Sequence, residues 1–261
     1  MSLKLTILGC GTSSGVPRIG NDWGSCDPDE PKNRRTRASI LVESPTTRLL
    51  VDTSPDMRAQ LLAAEVVHID AILWTHDHAD HCHGIDDVRQ LYHHRRTPVP
   101  GYARRQTLKL LNQRFAYAFE GRQGYHPTIE PHVLPDGLRI GDIDIACTDQ
   151  PHGEIFSTGF RFTSGGKSIA YSTDFHALTA DMISLFDGVG IWVVDALREQ
   201  PHPTHPHLAL TLDGISAVRP RRAILTHMDQ SMDYASLRLS LPAGVEPGYD
   251  GMCIDLNGEG D

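Results

Sequence analysis

Seven residues, Thr75-His76-Asp77-His78-Ala79-Asp80-His81, gather three imidazoles and two carboxylates. Imidazole nitrogen and carboxylate oxygen are the donors that zinc and manganese accept, at roughly 2.0–2.2 Å. His76 and His78 stand two apart, so on extended backbone both rings can face one point. Asp80 and His81 follow after another half turn and can face a second point close by. Two divalent ions about 3.5–4 Å apart can clamp an attacking oxygen and a substrate oxygen together, which is the chemistry of two-metal hydrolysis. The competing reading is a solvated polar loop, or a His-rich tract that binds metal loosely. Such a tract needs neither aspartate at a fixed place nor a strand in front of it.

The elements that must position this cluster are visible around it. Ile69 to Trp74, interrupted by Asp70, is an apolar run that reads as a buried strand, and a helix is expected from Ile85. The cluster therefore lies where a strand ends, a common place for ligand sites in layered α/β folds. Other donors also stand at the ends of strand-like runs. His152 follows the run Ile140 to Thr148, Asp174 ends the run from Ser168, and His227 ends the run from Arg222. Asp52 closes a hairpin made by Ser39 to Glu43 and Arg48 to Val51.

His76-x-His78-x-Asp80-His81 after a strand resembles the H-x-H-x-D-H motif of the metallo-β-lactamase superfamily. That superfamily's later ligands have matches, in order, in His152, Asp174 and His227. The resemblance covers essentially the whole chain. It implies an α/β fold, the αββα sandwich of two mixed sheets with helices outside and metals at one edge. It also implies two divalent ions, Mn²⁺ or Zn²⁺. His76, His78, His152 and Asp174 would hold one, and Asp80, His81, Asp174 and His227 the other. An aspartate at the place of Asp52 braces the metal loop in such proteins.

A closer likeness is to the PhnP-like cyclic phosphodiesterases. It is carried by Gly9-Cys10-Gly11-Thr12-Ser13-Ser14-Gly15-Val16-Pro17, by the stretch Leu241 to Met252, and by His205-Pro206-His207-Leu208 ahead of the His227 strand. This implies hydrolysis of a small cyclic phosphodiester, a ribose cyclic phosphate or a 2′,3′-cyclic nucleotide. Asp80 and His205 are then the catalytic residues, His205 acting on a phosphoryl oxygen or on the leaving alkoxide. Two other functions are weighed. A ribonuclease Z-like tRNA 3′-processing endonuclease usually carries a protruding basic arm, and no Lys/Gly-rich insert is seen. A non-catalytic metal-binding module would be expected to have lost a ligand or His205, and all are present. Relatives often carry a structural zinc on clustered cysteines near Asn21 to Cys26. Here only Cys26 stands, so packing around Trp23 is expected to hold the loop Gly20 to Pro31.

Length and composition narrow the partners. The 261 residues are enough for one domain over 1–261, and 39% hydrophobic with 22% charged content is ordinary for a soluble protein. The net charge of −9 argues against a large nucleic acid or an anionic membrane as partner, and favours a small phosphodiester or nucleotide substrate met by the cations. No apolar run reaches the roughly 18 residues of a membrane span, and the start reads as a strand rather than a secretory signal. Five scattered cysteines without a C-x-x-C pair fit a reduced, cytoplasmic protein. A homodimer is the family habit. The Gly9 to Pro17 loop lacks the Gly-Lys-Ser/Thr of a P-loop and is expected to turn tightly beneath the active site. Arg34, Arg35 and Arg37 read as a solvated edge. Phe115, Tyr117, Phe119 and Tyr125 could stack on a nucleobase but are expected in the core.

Overall fold

Apolar residues on the early strands alternate between two destinations, as a period of two demands. Ile40, Val42, Leu49, Val51, Ala71 and Leu73 point into a core between two sheets, whereas Leu41, Leu50, Ile72 and Trp74 point into a second core beneath the outer helices. Each Val, Leu or Ile among them, fully removed from water, contributes about 1.5–3 kcal/mol. The structure is a computed structural model and describes residues 2–256. The single domain expected over 1–261 includes Met1 and residues 257–261, which lie outside the described residues.

The first sheet holds β1 (Lys4–Gly9), β2 (Ser39–Glu43), β3 (Arg48–Val51), β4 (Ala71–Leu73), β5 (Val99–Ala103) and β6 (Ile129–Val133). The second holds β7 (Gly137–Ile140), β8 (Ile143–His152), β9 (Ile155–Ser164), β10 (Lys167–Ser172), β11 (Ile191–Asp195), β12 (Arg222–Thr226) and β13 (Val245–Pro247). The chain passes from the first sheet to the second between Val133 and Gly137. One element returns: β14 (Cys253–Asp255) crosses back to pair with β1 in the first sheet. Helices α1 (Met57–Ala63), α2 (Ala79–Cys82), α3 (Val88–Arg95), α4 (Arg105–Arg114) and α5 (Ala116–Glu120) follow strands of the first sheet. Helices α6 (Ala180–Phe186), α7 (Leu208–Val218) and α8 (Tyr234–Ser240) follow strands of the second. This is the αββα sandwich. Among the described residues no helix is long and apolar enough to cross a membrane.

In each sheet one part is antiparallel and one part parallel. Strands β3, β4, β5 and β6 run parallel, and so do β10, β11, β12 and β13. Parallel neighbours end together, so their following loops share one edge. Three expectations need correction here. The run taken as one strand from Ile140 to Thr148 is a hairpin, because Gly141 (φ 55°) and Asp142 form a turn inside it. The apolar spacing of Leu108, Leu111, Phe115, Ala118 and Phe119 predicts one helix over Thr107 to Phe119, but it breaks at Phe115, whose non-helical backbone (φ −123°, ψ 37°) separates α4 from α5. The helix placed from Ile85 begins as a 3₁₀ turn, and a shorter helix, α2, precedes it within the histidine motif itself.

Candidate metal centre

Every predicted donor reaches the shared strand edge. His76 follows β4, His152 ends β8, Asp174 follows β10, and His227 follows β12. Helix α2 begins after His78, and its single turn turns Asp80 and His81 inward, where they lie buried. Asp52, Asp174 and His227 all adopt left-handed backbone, with φ of 64°, 58° and 57°. Asp and His tolerate that region better than most side chains, yet it is costly, and such outliers gather where geometry serves a purpose. Gly84 permits the close approach of the motif's exit to the Asp52 loop: a Cβ there would lie 2.0 Å from the Ser54 carbonyl oxygen.

The Asp174 carboxylate stands between two groups of imidazoles. Its Oδ1 is 3.8 Å from His76 Nε2 and 3.7 Å from His152 Nε2. Its Oδ2 is 3.2 Å from His81 Nε2 and 3.6 Å from His227 Nε2. His78 completes the first group, with Nδ1 3.2 Å from His152 Nε2. Asp80 completes the second, with Oδ2 3.3 Å from His81 Nε2 and 3.4 Å from His227 Nε2. His76, His81, His152, Asp174 and His227 are buried, while His78 is exposed and marks the open side.

The electrostatics reflect crowding. Burial, then the neighbouring His81, pushes His76 well below the usual imidazole range. Burial alone would push His81 and His227 down too, but adjacent carboxylates outweigh it. Asp174, Asp80 and Asp52 raise His81 well above its ordinary value, and Asp174 with Asp195 and Asp80 raises His227 to about 9. Burial works against the Asp174 anion, yet His227, His81 and His76 hold its carboxyl well below the usual range.

The braces of the cluster are equally defined. Asp52 accepts from the Thr75 backbone N–H at 2.8 Å and from His81 Nδ1 at 2.8 Å, as expected of it. His152 Nδ1 donates to the Thr204 carbonyl at 2.9 Å. Such contacts orient an imidazole and fix its tautomer. His205 stacks on His227 with centroids 4.9 Å apart and an interplanar angle of 11°. His205 Nδ1 lies 3.1 Å from Asp195 Oδ2, and its side chain remains 13% exposed. So His205 borders the cluster, whereas Cys82 lies outside the donor groups beneath Asp77, its thiol pushed by burial up to about 12.

Sequence reasoning passed over three of these residues. Asp195 is fully buried, and its Oδ2 also accepts from the Asp174 backbone N–H at 2.9 Å. Its signal was present: Ile191 to Val194 is one more apolar run ending in a carboxylate. Gln150 and Ser157, both buried, hold the Thr173–Asp174 turn through the Thr173 carbonyl, and Ser157 through that of Asp174 as well. Arg35 corrects the solvated-edge expectation. It is 1% exposed, and its guanidinium donates to the carbonyls of Met232 at 2.6 Å and Asp229 at 3.2 Å. It also reaches Asn33 Oδ1 at 3.3 Å and Cys26 Sγ at 3.8 Å. A buried guanidinium ties the Cys26 loop to the segment after His227, and in the same loop Trp23 packs under the Arg34 guanidinium, which lies 5.0 Å from the ring centroid.

The residues present fit divalent cations. His76 Nε2 and His81 Nε2 are buried with no hydrogen-bond partner. A buried polar atom left unpaired costs about 1–3 kcal/mol, and both of these atoms face Asp174. In each group the ligand atoms lie within 4.8 Å of one another, and the mixed imidazole and carboxylate set suits zinc or manganese.

Residues 47–228 match the family model described as the β-lactamase superfamily domain. Among solved structures, the chain is 34% identical to a protein described as a new diphosphatase from the PhnP family, covering 98% of each chain with a TM-score of 0.90. It shares its fold with zinc-bound PqqB from Methylobacterium extorquens, at 18% identity, 97% and 100% coverage and a TM-score of 0.79. It is 30% identical over 258 residues to an octanoyltransferase of Porphyromonas gingivalis, a match covering 96% of this chain and 51% of that one. The chain spans little more than half the length of the first curated relatives it matches.

Proposed function

Because the chain belongs to the metallo-β-lactamase superfamily, and within it resembles a PhnP-family protein over nearly its whole length, we propose that it is a metal-dependent hydrolase of small phosphoric esters. The preferred substrate class is a cyclic phosphodiester, such as a ribose cyclic phosphate or a 2′,3′-cyclic nucleotide. One observation carries the reading: the two oxygens of Asp174 face different imidazole groups, His76 and His152 on one side, His81 and His227 on the other. A carboxylate so placed is suited to bridge two cations.

His76, His78, His152 and Asp174 would hold one ion; Asp80, His81, His227 and Asp174 would hold the second. When bound, two such ions would lower the pKa of a water and offset negative charge on phosphoryl oxygens. The chain's own residues supply the rest. Asp52 and the Thr204 carbonyl fix the rings of His81 and His152. Asp195 engages Nδ1 of His205 and leaves Nε2 as the nitrogen free to donate a proton to a phosphoryl or leaving oxygen. The exposed His78 and part-exposed His205 set the substrate's approach on the open side.

The test is steady-state hydrolysis by metal-reconstituted protein of bis(p-nitrophenyl) phosphate, a 2′,3′-cyclic nucleotide, a nucleoside diphosphate and a precursor tRNA. Turnover of the small diesters should vanish in Asp174→Ala and fall about 10²–10⁴-fold in His205→Ala. Turnover of the diphosphate alone would replace the cyclic-diester assignment with a diphosphatase. Turnover of tRNA alone would move the protein to the ribonuclease Z reading. No turnover by protein with two metals bound would sink the hydrolase proposal.

A further inference from the structure

Away from the metal centre, α3, α5 and the segment from Arg122 to Thr128 enclose a second recess of about 310 Å³. Of the four aromatics singled out in the sequence, Phe119 is buried in the core beneath the helices and Phe115 packs against it. Tyr117 and Tyr125 instead line the recess, 43% and 74% exposed, together with Tyr92. Phenol rings gathered part-exposed on one concave wall leave apolar surface in water, and such patches mark sites of interaction.

The backbone presents two of the lining side chains as a pair. Arg122 and Tyr125 exchange backbone hydrogen bonds of 3.1 and 2.9 Å across a two-residue turn. Gln123 and Gly124 within it are both left-handed, with φ of 52° and 86°, the primed turn of a tight hairpin. Residues directly opposite in such a ribbon project from the same face. Gln123 holds a conformation that glycine would adopt more cheaply, so the turn is kept at a cost.

The charge of the wall is the reverse of the chain's. Arg89, Arg122, His93 and His126 border the recess in a chain of net charge −9. Its one lining carboxylate is Asp86, which interacts with the Tyr117 hydroxyl and lies 3.8 Å from Arg89. The Arg122 guanidinium has no partner among the described residues.

We propose that this recess is a nucleotide-binding site separate from the metal centre: a planar base stacks on the Tyr117 and Tyr125 rings, and its phosphate meets Arg122 and Arg89. Stacking on aromatic side chains accepts any base, because every base has a π-face. The guanidinium fork matches phosphate oxygens two at a time. The volume lies at the lower end of small-molecule sites, which suits a mononucleotide. None of the lining residues belongs to the metal cluster, so the site stands or falls independently of the hydrolase reading.

The test is a fluorescence titration of the full chain with N-methylanthraniloyl-AMP in the presence of EDTA, which keeps phosphate from being drawn to bound metal. Saturable binding of one ligand per chain is expected, displaced by AMP and less well by adenosine or ribose 5-phosphate. Tyr125→Ala and Arg122→Gln should each weaken it at least about fivefold, and Asp174→Ala should leave it unchanged. Both variants are at exposed positions, and circular dichroism melts check that they fold. The proposal is overturned by no saturation up to about 1 mM ligand. It is equally overturned if binding survives both recess variants, or if it is lost in Asp174→Ala. Binding of an oligoadenylate without binding of AMP would also overturn it, assigning the patch to single-stranded RNA.

Discussion

Replacing Asp195 by Asn changes one charge and almost no shape. Asp195 is 0% exposed, so it touches no substrate. Its Oδ2 serves two donors, the Asp174 backbone N–H at 2.9 Å and His205 Nδ1 at 3.1 Å. An asparagine oxygen in the same place still accepts from Asp174, so the left-handed turn at Asp174 survives. What is lost is the charge assistance to His205, a hydrogen bond worth about 1.5–3 kcal/mol. If that bond positions His205 for proton donation, kcat falls about 10- to 150-fold, at roughly 1.36 kcal/mol per decade. KM should change little. The assay is steady-state hydrolysis of bis(p-nitrophenyl) phosphate, with metal content measured on each preparation, because Asp195 Oδ2 also lies 3.8 Å from His227 Nδ1. A second arm places Asp195→Asn in a His205→Ala background. If Asp195 acts through His205, the second substitution costs less than about threefold there, since residues that work as a unit are not additive. An unchanged kcat in a fully metallated single variant refutes the reasoning, and so does a full multiplicative loss in the double variant.

Three further outcomes are expected. Arg35→Met removes donors from the Asp229 and Met232 carbonyls; two hydrogen bonds to a charged group make this about 3 kcal/mol or more, a drop of roughly 6–12 °C in Tm by calorimetry. Arg35→Lys should recover only part, and an unchanged Tm would show that the guanidinium is not the tie. Partial burial pushes the Asp233 carboxyl up, but donors from Ser236, Asn33 and Asp27 outweigh it and hold it down at about 2. A depressed folded-state value gives stability that is full above about pH 4 and lost as pH falls through 2; after discounting for solvent it amounts to about 1 kcal/mol. Urea midpoints of wild type should therefore converge on those of Asp233→Asn between pH 4 and 2, and parallel curves would contradict this. Finally, Asp174, Asp195 and Asp80 outweigh burial and raise His227 to about 9, and carboxylates likewise raise His81, so zinc uptake at pH 7.5 should expel at least one proton per chain. Calorimetry in buffers of different ionisation heat reads that number, and uptake without proton release would rule out these two ligands.

Legibility in the sequence tracked how local each cause is. The seven-residue histidine motif is local, and His152, Asp174 and His227 each follow a strand-like run that is visible in the sequence. Asp174 and His227 reach one edge because β10, β11 and β12 are parallel neighbours that end together, and His152 joins them because β8, two antiparallel pairings away from β10, runs in the same direction; short runs only hint at such topology. Arg35 could not be read this way. Its burial depends on carbonyls at Asp229 and Met232, some 194 and 197 residues away along the chain. Nothing near Arg35 distinguishes it from Arg34 or Arg37. Helix α2 was missed for a different reason. Four residues, Ala79 to Cys82, are too few to show a helical period, yet that one turn is what brings Asp80 and His81 inward.

Asp195 shows where pattern reading needs a second question. It satisfies the same rule as Asp174 and His227, since an apolar run, Ile191 to Val194, ends on it. Unlike them, it sits at φ that calls for no left-handed turn, and it is absent from the outliers at Asp52, Asp174 and His227. Of those three, Asp174 and His227 turn sharply where they aim a donor into the shared space. Asp195 ends its strand without such a turn, and its Oδ2 accepts from the Asp174 backbone and from His205. Backbone handedness at a strand end therefore separates donors from braces only in part, because Asp52 turns and still braces His81. What settles Asp52 is its partner: both of its oxygens are already taken by Thr75 and His81, leaving none turned toward Asp174.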